Sequence, residues 1–374
     1  MDAIERPVKA MSKASDFFSR DYADARKRFT DAAKAAGFTP DRFINAKVKG
    51  PRSEELSTEV VRIGPKPAEN VIFVSSGTHG VEGFCGSGAQ VGMLANGVHK
   101  EMPKNTALVL IHAINPHGFA HERRVNEDNV DLNRNFRDHQ TPPPHNAPYA
   151  EIHGILIPAD WDGPARKKAD EAITKYIAAR GEKTFQAAVS TGQWEFPDGL
   201  FFGGNGPVWS NQLWRRLIRE HAAGAKRIVH LDFHTGLGAY GDCEVIFGPN
   251  TVNKADLARA RAWWGNVTCT SEGNSLSAPV QGVNPEAIAE EVPGAQVTAV
   301  ALEYGVVPVM ETLGSLRADH WLYSRANGDT STPLGKKIKQ QIRGAFYGET
   351  DDWKDRIYAK GAEVLRQSYK GLQA

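Results

Sequence analysis

Two apolar runs, residues 71–74 (Val-Ile-Phe-Val) and 107–111 (Ala-Leu-Val-Leu-Ile), constrain this chain more than any other feature. Each is too short for a buried helix and rich in branched side chains, the pattern of a strand covered on both faces. The first run releases Ser75-Ser76-Gly77 and then Thr78-His79-Gly80-Val81-Glu82-Gly83; the second leads to Asn115-Pro116-His117-Gly118. Arg123-Arg124-Val125-Asn126 and Asp131-Leu132-Asn133-Arg134-Asn135-Phe136 follow. In open α/β sheets the carboxyl edge of the strands is where ligands bind, so residues 71–136 are expected to carry a site.

The remaining chain reads as strands alternating with helices. Phe17, Phe18, Tyr22, Ala25, Phe29, Ala32 and Ala33 recur at helical spacing, which predicts an amphipathic helix over residues 14–37 with Gly37 at its end. Short strands are expected at 60–63, 228–233, 244–247 and 297–302, the 244–247 strand pairing with 228–233. The small residues of 83–96 suit a helix packed closely on a sheet. Further helices are predicted at 163–180, from a cap at Ser210, and at 253–264, 315–325, 335–347 and 358–369. Residues 138–148 hold Pro142-Pro143-Pro144 and read as loop. Residues 193–204 are aromatic and glycine-laden without period, as in a loop that walls a pocket or one packed only for stability. This alternation, without internal repeats, indicates an α/β sandwich.

At 374 residues, 41% hydrophobic and 24% charged, the chain can bury a large core. Its 45 Lys and Arg against 44 Asp and Glu give a formal charge of +1, so no global field draws it to nucleic acid or to an anionic membrane. Cys85, Cys243 and Cys269 are too scattered for a disulfide framework or a cysteine zinc site. No leader is expected at the charged amino terminus and no run has the length of a transmembrane helix; a cytoplasmic setting is the expectation.

His79 and Glu82 can converge on one ion, since a turn brings residues i and i+3 together, although this spacing alone also fits a solvated turn. His234 leaves another apolar strand, after Asp232, with Thr235-Gly236-Leu237-Gly238 beyond it. His230 is an alternate at the same period. His79, Glu82 and His234 would leave zinc a fourth, open position, and Asp232 would orient an imidazole or cap a turn. Glu303, at the end of an apolar strand, is placed as a general base or as the partner of a buried Arg; Glu311 and Glu286 lie in more polar surroundings. Arg123, Arg124 and Arg134 present planar forks suited to an oxyanion or a carboxylate, or to salt bridges with Glu122, Glu127, Asp128 and Asp131.

His79-x-x-Glu82, Asn133-Arg134, His234 and Glu303, in this order, resemble the zinc carboxypeptidase superfamily. The spans 77–83, 115–136, 193–204 and 232–238 are similar to one bacterial branch of it, carried as a domain of unknown function. The resemblance implies a single catalytic domain over residues 1–374: a three-layer α/β/α sandwich around a mixed, mostly parallel sheet of about eight strands, with residues 138–210 as an insertion that walls the site. It implies one Zn²⁺ per chain on His79, Glu82 and His234, Glu303 as general base, Arg124 (or Arg123) for the oxyanion, and Asn133 with Arg134 for a substrate carboxylate. Tyr240 and Tyr304 are the candidates for a substrate-binding tyrosine. Thr78-His79-Gly80-Val81-Glu82 and Asp232-Phe233-His234-Thr235 are also similar to the aspartoacylase and succinylglutamate desuccinylase branch. The expected activity is therefore cleavage of an amide beside a carboxylate, peptide first and N-acyl amino acid second, with a non-catalytic carboxylate binder as the contrasting reading. Neither a nucleic-acid nor a membrane partner is expected, and the oligomeric state is left open.

Overall fold

The computed structural model describes residues 13–248 and 253–374, so residues 1–12, where no leader was expected, lie outside it. Eight strands form one sheet: β1 (Asp41–Lys49), β2 (Glu55–Ile63), β3 (Asn70–Ser75), β4 (Thr106–His112), β5 (Arg227–Tyr240), β6 (Cys243–Phe247), β7 (Val267–Cys269) and β8 (Gln296–Gly305). Their order is β1-β2-β4-β3-β5-β8-β6-β7. The central pairings β4-β3, β3-β5 and β5-β8 are parallel, as is β6-β7, while β1-β2, β2-β4 and β8-β6 are antiparallel. The sheet is thus mixed and mostly parallel, as expected.

Alternate residues of the central strands enter two separate cores. Ile72, Val74, Leu108, Leu110, Val229 and Leu231 face one way, against the helices Tyr22–Ala35, Gly83–Ala95 and Asp351–Gly371. Val71, Phe73, Ala107, Val109, Ile111 and Ile228 face the other, against Trp209–Ala222 and Asn284–Glu291. Strands buried on both faces are why these runs are apolar throughout. The helix Gly83–Ala95 needs its glycines: a Cβ on Gly92 would stand 2.6 Å from the Tyr358 ring. Residues 138–210 add the helices Ala147–Leu156, Pro164–Arg180 and Glu182–Ser190, which share a third core with Leu313, Leu316 and Phe346.

Several elements depart from expectation. The segment 14–37 is not one helix. A 3₁₀ turn, Ala14–Phe17, precedes Tyr22–Ala35, and Asp21 restarts the chain by accepting from Asp24 N at 2.8 Å. β6 pairs with β8 and β7 instead of β5, because β8 runs between them. Ser210 does not cap its helix; it lies inside the first turn, buried, after an N-cap at Val208. β5 also extends past the apolar run, carrying His234 within the strand.

Candidate metal centre

His79 follows β3 and is the N-cap of a 3₁₀ turn, Gly80–Glu82. A 3₁₀ helix has three residues per turn, so positions i and i+3 eclipse; the spacing places His79 Nδ1 3.0 Å from Glu82 Oε1. His234 stands two strands' width away by sequence but beside β3 in the sheet, since β3 and β5 are neighbours. Its Nδ1 lies 3.0 Å from Glu82 Oε2 and 3.2 Å from His79 Nδ1. One ligand atom from each of the three residues lies within 4.8 Å of the others, and all three residues are buried.

The far nitrogen of each imidazole meets a carboxylate. His79 Nε2 is 3.1 Å from Asp131 Oδ1, and His234 Nε2 is 2.7 Å from Asp232 Oδ2. At His234 the carboxylate fixes the tautomer with Nδ1 unprotonated, the usual support of a metal-bound histidine, whereas His79 Nε2 also lies 2.8 Å from Arg124 Nη2. Asp232 is itself held by Ser75 and Thr78 hydroxyls and by Asn284 Nδ2 at 2.7 Å. Burial alone would raise Glu82, but His79 and His234 hold its carboxyl down to about 2. Burial likewise works against a charged His234, and Asp232 with Glu82 overcomes it, raising the imidazole well above its ordinary range. A cluster of anions that attracts protons this strongly has the donor set and the charge for a divalent cation. Two histidines and a carboxylate suit zinc.

Glu303 is the register neighbour of His234 on β8 and accepts from Leu237 N at 3.1 Å. Burial, then the negative charge of Glu82, pushes its carboxyl up to about 8. Arg124 donates from Nε to Asp131 Oδ2 at 2.8 Å and from Nη1 to Glu82 Oε1 at 3.1 Å. Arg134 donates to Asn133 O at 2.8 Å and to Ser190 O, and its buried Nε has no partner. Its nearest carboxylate, Asp131, is 3.9 Å away and already shared. Burial lowers Arg134 to about 10: this cation lacks a counter-ion of its own. Asn133 Nδ2 lies 3.4 Å from His234 Nε2, while its Oδ1 accepts from Asn284 N. His79, Arg124, Asn133, Arg134, His234 and Glu303 all border one cavity of about 140 Å³.

Other expected residues lie elsewhere. Arg123 points away, into an ion pair with Asp319 at 3.1 Å and onto the Tyr323 ring. His230 is buried against Ser75 Oγ. Tyr240 is exposed at Thr350, and Tyr304 is fully buried under Ile357 O; neither borders the cavity. Residues that sequence reasoning did not single out for the site are Asp131 as the partner of His79, Asn284, and Phe201. The Phe201 ring covers both Arg124 and Arg134, at a positive φ of 53°, a conformation unfavourable for a bulky residue.

The chain is an α/β fold, a mixed eight-stranded sheet covered by helices on both faces. The fold is similar to that of bovine thrombin-activatable fibrinolysis inhibitor, solved in complex with a tick carboxypeptidase inhibitor: 11% identity, 97% of this chain and 99% of that chain, TM-score 0.52. Carboxypeptidase A from Helicoverpa armigera (14% identity, 90% of this chain and 77% of that chain, TM-score 0.47) and a metallo-carboxypeptidase from Pseudomonas aeruginosa (13% identity, 93% and 69%, TM-score 0.46) are also similar. No curated protein matches the sequence. The chain belongs to the family described as "Protein of unknown function (DUF2817)", whose model matches residues 18–360.

Proposed function

We propose that this chain is a zinc-dependent hydrolase that cleaves an amide beside a substrate carboxylate, in the manner of a carboxypeptidase. The observation that carries the reading is the convergence of His79, Glu82 and His234 within 4.8 Å, next to Glu303 and an Arg134 that shares its nearest carboxylate, Asp131, with Arg124. In this reading His79, Glu82 and His234 hold one Zn²⁺, which supplies Lewis acidity and a nucleophile at neutral pH. Arg134, with Asn133, binds the substrate carboxylate through Nε, the one guanidinium nitrogen left without a partner while Nη1 and Nη2 donate to Asn133 O and Ser190 O. Glu303, a buried carboxyl that borders the cavity beside His234, takes a proton from the attacking water and returns it to the leaving nitrogen. Arg124, held by Asp131, presents its guanidinium to the oxygen on which negative charge develops. Residues 1–374 then act as one catalytic domain, with 138–210 walling the site. The free cysteines support a reducing, cytoplasmic setting. Among the described residues, no helix is long and apolar enough to cross a membrane.

Metal analysis tests this directly. The purified chain is expected to carry about one zinc ion, lost in Glu82→Ala and in His234→Ala. Glu303→Gln should keep the metal and lose roughly 10²–10⁴ in kcat, the usual share of a general base. Stoichiometric metal surviving both ligand substitutions would refute the ligand set. Metal binding with no hydrolysis of any amide would favour a carboxylate-binding protein.

A further inference from the structure

One buried residue outside the ligand set bonds to both halves of the site. Asn284 opens the helix Asn284–Glu291 and is 2% exposed. Its Nδ2 donates to Asp232 Oδ2 at 2.7 Å, the same oxygen that lies 2.7 Å from His234 Nε2. Its backbone N donates to Asn133 Oδ1 at 3.2 Å. Asn284 is itself held, since Trp214 Nε1 donates to its carbonyl oxygen at 3.1 Å. Two residues earlier, Gly282 O accepts from Phe136 N at 3.0 Å. Gly282, at φ +77°, lies against the Arg134 backbone, where a Cβ would stand 2.6 Å from Arg134 O. The start of this helix is thus fastened to the segment that carries Asn133 and Arg134.

Both bonds made by Asn284 have one permitted direction. An ionised carboxylate only accepts, so Asp232 fixes which end of the Asn284 amide faces it. A backbone N–H only donates, so Asn133 turns its oxygen to Asn284 and leaves its NH2 on the side of His234, with Nδ2 3.4 Å from His234 Nε2. An NH2 group there is a donor for a carboxylate; the flipped amide would offer an oxygen and repel one. Resting on the metal-hydrolase reading above, we infer that Asn284 is a positioning residue. Through Asp232 it sets the imidazole of His234 for the metal, and through its backbone amide it orients Asn133 for the substrate carboxylate. Metal binding and substrate recognition share one anchor.

The test compares the native full chain with Asn284→Ala, Asp232→Ala and the double variant. Zinc affinity is read by competition with a chelator, and kcat and KM on benzoyl-glycyl-leucine with zinc in excess. In Asn284→Ala the zinc dissociation constant is expected to rise about 10–100-fold. In the Asp232→Ala background the same change should cost less than about twofold, because its effect passes through that carboxylate. KM should hold within about twofold in Asn284→Ala, since the backbone amide that orients Asn133 is retained. Asn133→Asp still accepts from Asn284 N but replaces the donor by an oxygen; it should raise KM about tenfold or more without loosening zinc. Unchanged zinc affinity in Asn284→Ala, or a full further loss on top of Asp232→Ala, would overturn the inference and leave the hydrolase reading intact. If Asn284→Ala does not fold, Asn284→Ser, too short to reach Asp232, decides by the same readouts. A native chain that binds zinc and cleaves nothing would sink the hydrolase reading, and the zinc affinities alone then decide the role of Asn284. A native chain that takes up no zinc would overturn both.

Discussion

Buried carboxyl groups titrate late for reasons that differ between Glu303 and Glu59. Glu303 is raised by burial and by a neighbouring anion that a bound cation would neutralise. Glu59, on β2 and far from the cavity, is raised from 4.5 to about 7 by burial, only partly offset by Ser57, Arg26 and Arg42. The unfolded chain ionises Glu59 near 4.5, whereas the folded chain keeps the proton until about 7. Unfolding therefore releases a proton between these values. The contribution is complete below pH 4.5 and is lost as pH rises through about 7, on the order of 2–3 kcal/mol. Urea unfolding across pH 4–8 is expected to show a steeper fall of stability with rising pH in the native chain than in Glu59→Gln, the difference being the Glu59 contribution. At this scale the sequence was informative where chemistry is rare in its setting: His79, Glu82, His234 and Glu303 are polar groups released by apolar strands. It was silent on Asn284, which reaches Asp232 from another element, and on Phe201, whose role depends on a backbone angle. Asp131 left a faint signal, two residues ahead of Asn133-Arg134.

At the level of elements, the turn bearing His79 and Glu82 is clamped from outside. Val81 N donates to Arg123 O at 2.9 Å and Gly80 N to Arg124 O at 3.2 Å. Arg123 is anchored in turn by Asp319 on the helix Val309–Arg325, and Asp319 also receives Lys339 from Pro333–Phe346 at 2.6 Å. Asp319→Ala would leave two buried cations without their anion. The expected loss is on the order of 3–5 kcal/mol in chemical denaturation, with Asp319→Asn losing less. Elements were legible where burial forces an apolar pattern, as in β3, β4 and β8. β1 has no such run, because an edge strand with one covered side exposes most of its residues. β7 is three residues long, too short for any period. The wrong partner assigned to β6 has the same origin: adjacency in sequence carries no information about a strand that arrives later and inserts between neighbours.

The whole molecule is nearly neutral, at a formal +1, so it exerts little long-range attraction on an anionic substrate. Under the proposed hydrolase activity, kcat/KM is expected to change less than about twofold between roughly 20 and roughly 200 mM salt, because a carboxylate held by Arg134 inside a buried cavity would be weakly screened. A steep salt dependence would contradict this. Neutrality overall conceals a local imbalance. The cluster buries four carboxylates, Glu82, Asp131, Asp232 and Glu303, against two guanidinium groups, Arg124 and Arg134. With neutral imidazoles and Glu82, Asp131 and Asp232 ionised it is short by one positive charge, and by two once Glu303 gives up its proton. Electroneutrality thus makes valence the sieve. A sodium or potassium ion balances the cluster only while Glu303 keeps its proton, a lanthanide would overshoot, and a doubly charged ion brings the sum to zero in the state where Glu303 is free to act as a base.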